Sequence, residues 1–403
     1  MVKKIIAVFI AVTCLVSSFS VPWAAGSDGE NEYNAVTVAK IQEKTSVFDL
    51  KAKSAILVDG ISGSILLEKN SHEKLPIASV TKIMTMLLAM EAIDSGKLKF
   101  EDTVPVSEHS YSMGGSQVYL KPGEEFSVLE MMKAIAIHSA NDASVAIAEK
   151  ISGSEDVFVA DMNEKARALG MNDTNFLDCT GLTDDGHYSS AYDIALMSRE
   201  LIMKHPKILE LTSTWHDTFR DGKFSLDNTN KLIRFYQGAN GLKTGFTNKA
   251  GYCLSATAKR NNLQLIAVVL GEPDSNTRFA ESRKLLDYGF ANYELSQVNT
   301  KGEIVGTVQV KKGVKPSVNG VFGEDVKLLI NRGDKGNITR EVQLQQDLTA
   351  PVREGQKIGV VVYRVGDKEV GRADVLAEGK VERATFLRIF LKMAQGWFGL
   401  GRA

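Results

Sequence analysis

The sequence predicts an α+β fold, one antiparallel sheet covered by helices, followed by a smaller β-rich domain. Three observations carry this reading. Strand patterns stand at both ends of the first part of the chain, with helical spacing between them. A run of short alternating segments follows residue 294. The length of 403 residues exceeds one ordinary domain.

Taken in order, Ser54–Asp59 and Ser64–Lys69 read as a hairpin around Gly60 and Gly63. Pro76 marks a helix start. After it Ile83, Met84, Met86, Leu87, Leu88 and Met90 are apolar almost all round, as in a helix buried within its domain. The stretch from Phe126 to His138 is apolar at helical spacing, and a second helix runs from Asp142 to Ile151. Asn240 to Thr247 reads as an edge strand ahead of Tyr252–Ala258 and Leu263–Val269, a pair joined by Lys259-Arg260-Asn261-Asn262. Further on, Glu303–Val310, Asp325–Ile330, Ile338–Leu344 and Lys357–Val365 are short strands separated by Gly, Asp and Asn turns.

The ends of the chain carry different signals. Lys3-Lys4, an apolar run from Ile5 to Val16 and small residues to Ala24-Ala25 make a secretory leader. From Thr385 to Gly399 a helical wheel gathers Phe386, Leu387, Ile389, Phe390, Leu391, Met393, Ala394, Trp397 and Phe398 on one arc, with Arg388, Lys392 and Gln395 opposite. That stretch is shorter than the roughly 20 apolar residues a bilayer span needs. It suits a helix lying in the membrane interface with its cations toward anionic headgroups. The expected organisation is a leader at 1–25, a polar linker at 26–45, a main domain at 46–293, a β-rich domain at 294–379 and an amphipathic membrane-anchoring helix at 380–403.

Composition excludes several functions. Formal net charge is −1, with 48 Lys and Arg against 49 Asp and Glu, which argues against nucleic acid as a partner. The six histidines show no metal spacing, and there is neither a phosphate loop nor a Gly-x-Ser-x-Gly elbow, so no metal and no cofactor are expected. Once the leader with Cys14 is removed, Cys179 and Cys253 remain, to pair or to stay as buried free thiols.

The chemistry lies in three short clusters: Ser79-Val80-Thr81-Lys82, Ser139-Ala140-Asn141 and Lys243-Thr244-Gly245. A serine hydroxyl needs a neighbouring base. Residues three apart share a helix face, so Lys82 can reach the Ser79 oxygen. With Ser79 in the first helical turn, unpaired N–H groups and the positive dipole end favour a developing oxyanion. Burial of Lys82 and the charge of Lys243 both favour a neutral amine. Ser139 is positioned to relay a proton and Asn141 to hold a substrate carbonyl. The Lys243–Gly245 strand offers its backbone to an extended peptide, with Gly245 permitting close approach.

This ordered set resembles the signature of penicillin-binding proteins and serine β-lactamases. Pro76-Ile77-Ala78-Ser79, His138 to Asp142, Gly241 to Thr247, Thr180-Gly181-Leu182, Tyr188 to Asp193 and Arg278 to Ser282 make the chain similar to a D-alanyl-D-alanine carboxypeptidase, a low-molecular-mass penicillin-binding protein of the Gram-positive type. The resemblance implies a β-lactamase/transpeptidase-like domain. It implies Ser79 as acylated nucleophile, Lys82 as its base, and Ser139 and Lys243 completing the proton network. It assigns substrate binding to Asn141, Thr244, Gly245, Phe246 and Arg278. Thr244 and Arg278 would hold the terminal carboxylate of D-alanine, and the amides of Ser79 and Phe246 would form the oxyanion hole. Some relatives carry histidine where Phe246 stands. The implied partners are peptidoglycan stem peptides, β-lactam antibiotics as inhibitors, and the outer face of the cytoplasmic membrane. The alternatives are a β-lactamase, for which Phe176 to Leu182 offers no Glu-x-x-x-Asn, and a non-enzymatic wall-binding or antibiotic-sensing domain.

Overall fold

The structure, a computed structural model, describes residues 49–183 and 185–386. The leader, the linker to residue 45 and all but the first two residues of the helix expected from Thr385 lie outside the described residues. A five-stranded antiparallel sheet is built from β1 (Ser54–Asp59), β2 (Ile65–Lys69), β3 (Ala239–Thr247), β4 (Gly251–Arg260) and β5 (Leu263–Glu272), in the order β2-β1-β5-β4-β3. The ends of the domain thus meet at its centre, where Ile56 pairs with Val268. The strand carrying Lys243 forms the edge.

Alternation sorts the central strands between two cores. Ile56, Val58, Ile266 and Val268 face one way, into a cluster with Met84, Met86, Met90, Ile135 and Ile147. Ala55, Leu57, Leu265, Ala267 and Val269 face the other, against Leu285, Leu286 and Phe290 of a C-terminal helix. The first cluster contains helices α1 (Lys82–Asp94), α2 (Asn141–Ser152), α3 (Glu155–Ala168) and α4 (Ala191–Lys204), while α5 (Ser275–Asn292) covers the opposite face.

Two local readings change. Phe126 belongs to a short strand, Glu125–Ser127, paired with Thr103–Pro105, because Ser127 caps the helix that follows through a capping box with Glu130. That helix, Val128–Lys133, runs into a π-helical turn, Ala134–His138. Likewise Ser79 precedes α1, in the 3₁₀ turn Ala78–Thr81.

Beyond α5 the chain is β-rich. Six strands follow the order Ile338–Leu344, Lys357–Val365, Lys368–Ala377, Ser317–Phe322, Ile304–Lys311, Asp347–Thr349. A separate ladder pairs Tyr293–Asn299 with Val326–Asn331. Their core gathers Val308, Phe322, Leu328, Ile358, Val361 and Val375. The last described residues stay on this domain: Val381 bridges to Val352 and Arg383 to Gly313. Among the described residues no helix is long and apolar enough to cross a membrane.

Candidate active site

Residues far apart in the chain meet at the Ser79 turn. Ser79 is half-buried, and Lys82, the first residue of α1, is fully enclosed. Its Nζ lies 2.9 Å from Ser79 Oγ, 2.6 Å from Asn141 Oδ1 and 2.7 Å from the Thr180 carbonyl oxygen. Two of these three neighbours can only accept. A neutral lysine amine has two N–H bonds and one lone pair, so the two carbonyls take the hydrogens and the lone pair faces the serine hydroxyl. Burial lowers the Lys82 pKa to about 8, against the opposing pull of Cys179, Asp178 and Asp142. Burial is the cause the sequence led one to expect, whereas the added push expected from Lys243 is not among the causes acting on Lys82. Lys243 is itself pushed well down, first by burial and then by the charges of Lys82 and Arg278.

The second cluster closes the π-helical turn. Ser139 is buried in a left-handed conformation, φ 67°. Asn141 begins α2, and its amide is used inside the protein at both ends: Oδ1 accepts from Lys82 and Nδ2 donates to the Gly114 carbonyl at 2.7 Å. Its backbone N–H donates to the Ser116 carbonyl, and the Asp142 carboxylate accepts from the Val118 and Leu120 amides. The Gly114-Gly115-Ser116 segment is therefore the clamp that orients Asn141, a function its sequence does not reveal.

The third cluster presses the edge strand onto the nucleophile turn. A Cβ added to Gly245 would sit 2.7 Å from the Ile77 carbonyl oxygen and 3.1 Å from the Ser79 amide nitrogen. The close approach that demands glycine is thus to the Ser79 turn itself. Lys243 and Thr244 are buried, whereas Phe246 is 50 % exposed and stacks on Tyr252 with ring centroids 4.3 Å apart. From the first turn of α5, Arg278 donates to the Gly245 carbonyl at 3.2 Å and lies over the Tyr252 and Phe279 rings. Burial lowers its pKa to about 10.

Three groups escaped sequence reasoning. Thr244 Oγ1 donates to Thr229 Oγ1 at 2.7 Å, while the Thr229 amide donates to the Ile137 carbonyl, so Thr229 ties the edge strand to the second cluster. Its neighbours Asn228 and Asn230 are buried and bind backbone around Thr212, Thr214 and Gly241. The second group is Asp178, whose carboxylate gathers the amides of Thr180, Gly181 and Thr183. Burial would raise this carboxyl, but His187 and those hydrogen bonds outweigh it and hold it at about 2. An Asp ahead of Thr-Gly is an Asx-turn signal that could have found it. The third is His187, fully buried: Nδ1 accepts from the Leu177 amide at 3.1 Å and Nε2 meets Thr81 Oγ1 at 2.8 Å. Gly181, φ 80°, packs directly on the Ala78 carbonyl, and a Cβ there has no room.

Cys179 and Cys253 are both free and buried. Among the described residues no group of three or more His, Cys, Asp or Glu is placed to hold a metal ion.

Comparison with known proteins gives the family. A family model described as D-alanyl-D-alanine carboxypeptidase matches residues 39–274, and one described as penicillin-binding protein 5, C-terminal domain, matches residues 293–383. The chain is 46 % identical over 358 residues to D-alanyl-D-alanine carboxypeptidase DacF of Bacillus subtilis, covering 88 % of this chain and 92 % of that protein. It is 34 % identical to DacC of Escherichia coli, covering 91 % and 94 %. Among solved structures, penicillin-binding protein 5 from Haemophilus influenzae superposes with a TM-score of 0.77 at 33 % identity, over 84 % of this chain and 99 % of that one. Penicillin-binding protein D2 from Listeria monocytogenes, in its ampicillin-bound form, does so with a TM-score of 0.56 at 34 % identity, over 61 % and 99 %. The chain belongs to the D-alanyl-D-alanine carboxypeptidase family of penicillin-binding proteins.

Proposed function

We propose that this protein is a serine-type D-Ala-D-Ala carboxypeptidase that removes the terminal D-alanine from peptidoglycan stem peptides through an acyl-enzyme. The observation that carries the reading is the setting of Lys82, whose two carbonyl partners leave its lone pair for Ser79. Ser79 Oγ attacks the carbonyl of the penultimate D-alanine as Lys82 takes its proton. The tetrahedral oxyanion rests on the amides of Ser79 and Phe246, where loss of one donor costs about 3 kcal/mol. Ser139 and Lys243 return a proton to the leaving amine, and water then releases the shortened peptide. Thr244 and Arg278 hold the terminal carboxylate, a charge-assisted pairing suited to a guanidinium. Asn141 contributes chiefly by orienting Lys82, with its second Nδ2 hydrogen directed to the substrate.

The same reading makes penicillins covalent inhibitors, since their lactam amide mimics the scissile bond and the leaving group stays attached. It also makes the chain exported through its leader and held at the outer face of the cytoplasmic membrane by the helix from Thr385; the support for both is the sequence pattern. Mass spectrometry of the penicillin-labelled protein tests the chemistry. An adduct on Ser79 is expected, and an adduct on any other residue would overturn the assignment.

A further inference from the structure

Behind the site, a buried carboxyl group lacks any partner that an ionised carboxylate could use. Glu272, at the end of β5, is 1 % exposed, and among the described residues neither of its oxygens has a donor. Its neighbour is a second carboxyl. Glu281 of α5 accepts the Lys51 amide at 2.7 Å and the Ala52 amide at 3.1 Å, one on each oxygen. It therefore has the environment of an ionised carboxylate and presents only acceptors to Glu272. One proton resolves the conflict, because a protonated Glu272 becomes a donor to Glu281.

The charges around the pair are Asp274, which adds to the repulsion, and Lys69, which opposes it. Lys53 lies along Gly271, Tyr252 stands opposite Glu272 on β4 with the buried Cys253 thiol beside it, and Arg278 stands on α5 one turn before Glu281. Burial first, and Glu281 second, push the Glu272 carboxyl up to about 8. Arg278 has an orphan of its own, a buried Nε without a partner. Tyr252 brings the two together, because it pairs with Glu272 across β4 and β5 and carries the Arg278 guanidinium 5.3 Å over its ring.

We propose that Glu272 and Glu281 share one proton, and that this proton keeps Arg278 turned toward the Lys243-Thr244-Gly245 strand. Once the proton leaves, the bare Glu272 carboxylate supplies the acceptor that Arg278 Nε lacks and draws the guanidinium away from the Gly245 carbonyl. Glu272 is thus a positioning residue for the carboxylate site, an inference that rests on the proposed role of Arg278.

The test compares wild type with Glu272→Gln in two measurements. For a peptide ending in D-Ala-D-Ala, KM of the wild type should rise about tenfold or more as pH passes the Glu272 value, the effect of losing one charge-assisted hydrogen bond. In Glu272→Gln, KM should stay level across the same range. The second measurement, urea unfolding, needs no activity. The folded state keeps a proton that the unfolded chain releases above its ordinary 4.5, so wild-type stability should fall with rising pH up to about 8 and then level off. Glu272→Gln should lack that fall. Parallel stability profiles would overturn the shared proton. A stability difference with a KM that moves equally in both proteins would overturn the link to Arg278. Absence of any peptidase activity would instead strike the functional reading, and with it the Arg278 link, while the unfolding data still judge the proton pair.

Discussion

At the scale of single residues, the proposed acylation requires Lys82 to be a base rather than a cation. Because the amine must be unprotonated to accept the serine proton, acylation should rise with pH through about 8 and level off above it. Stopped-flow kinetics with a chromogenic penicillin would record that profile. Lys82→Arg keeps the charge but cannot deprotonate, so it should fold yet acylate roughly 100- to 10,000-fold more slowly. Arg278→Ala should weaken turnover of peptides with a free terminal carboxylate far more than turnover of their amidated analogues, and equal losses would make Arg278 structural. Ser79 and Lys82 were legible in the sequence because one turn of chain fixes their relation. Thr229 was not, since its hydroxyl acquires meaning only when β3 folds back beside it. The two acceptors on Lys82 come from Asn141 and Thr180, far along the chain, so the direction of its lone pair belongs to the tertiary structure alone.

At the scale of elements, three segments are pressed onto the Ser79 turn: the edge strand through Gly245, the Asp178–His187 loop through Gly181, and the start of α2 through Asn141. Gly245→Ala should cost about 1–3 kcal/mol by overpacking against Ile77 and Ser79, and it should lower acylation with it. Asp178 gives a pH-dependent check. Its folded pKa of about 2 lies below the ordinary 3.8, so its contribution is present above 3.8 and disappears as pH falls through the lower value. A shift of this size corresponds to ~2 kcal/mol, which Asp178→Asn should lose near neutral pH and not in strong acid, as read by urea unfolding. The central strands of the main sheet were legible because both their faces are buried, which makes them short, nearly continuous apolar runs between turn residues. Ser317–Phe322 and Lys368–Ala377 escaped because Gly320, Gly371 and a run of charges interrupt their patterns. The boundary at Ser127 was hidden by apolar residues that continue at helical spacing across a cap.

At the scale of the whole molecule, the groups proposed to be catalytic all precede the β-rich domain, whose strands follow directly from α5 at Tyr293. A chain ending after Thr385 retains Val381 against Val352 and should stay soluble and active on small peptides. The full-length protein should sediment with anionic vesicles, each basic residue of the terminal helix adding about 1 kcal/mol, and the shortened one should not. Equal partitioning of the two would contradict the anchor. The central claim is hydrolysis of a D-Ala-D-Ala bond through Ser79, and release of D-alanine from a pentapeptide ending in that sequence tests it most directly. Wild-type protein should release one D-alanine per peptide, and a folded Ser79→Ala variant should release none. A wild type that releases no D-alanine, or a Ser79→Ala variant that still does, would contradict it.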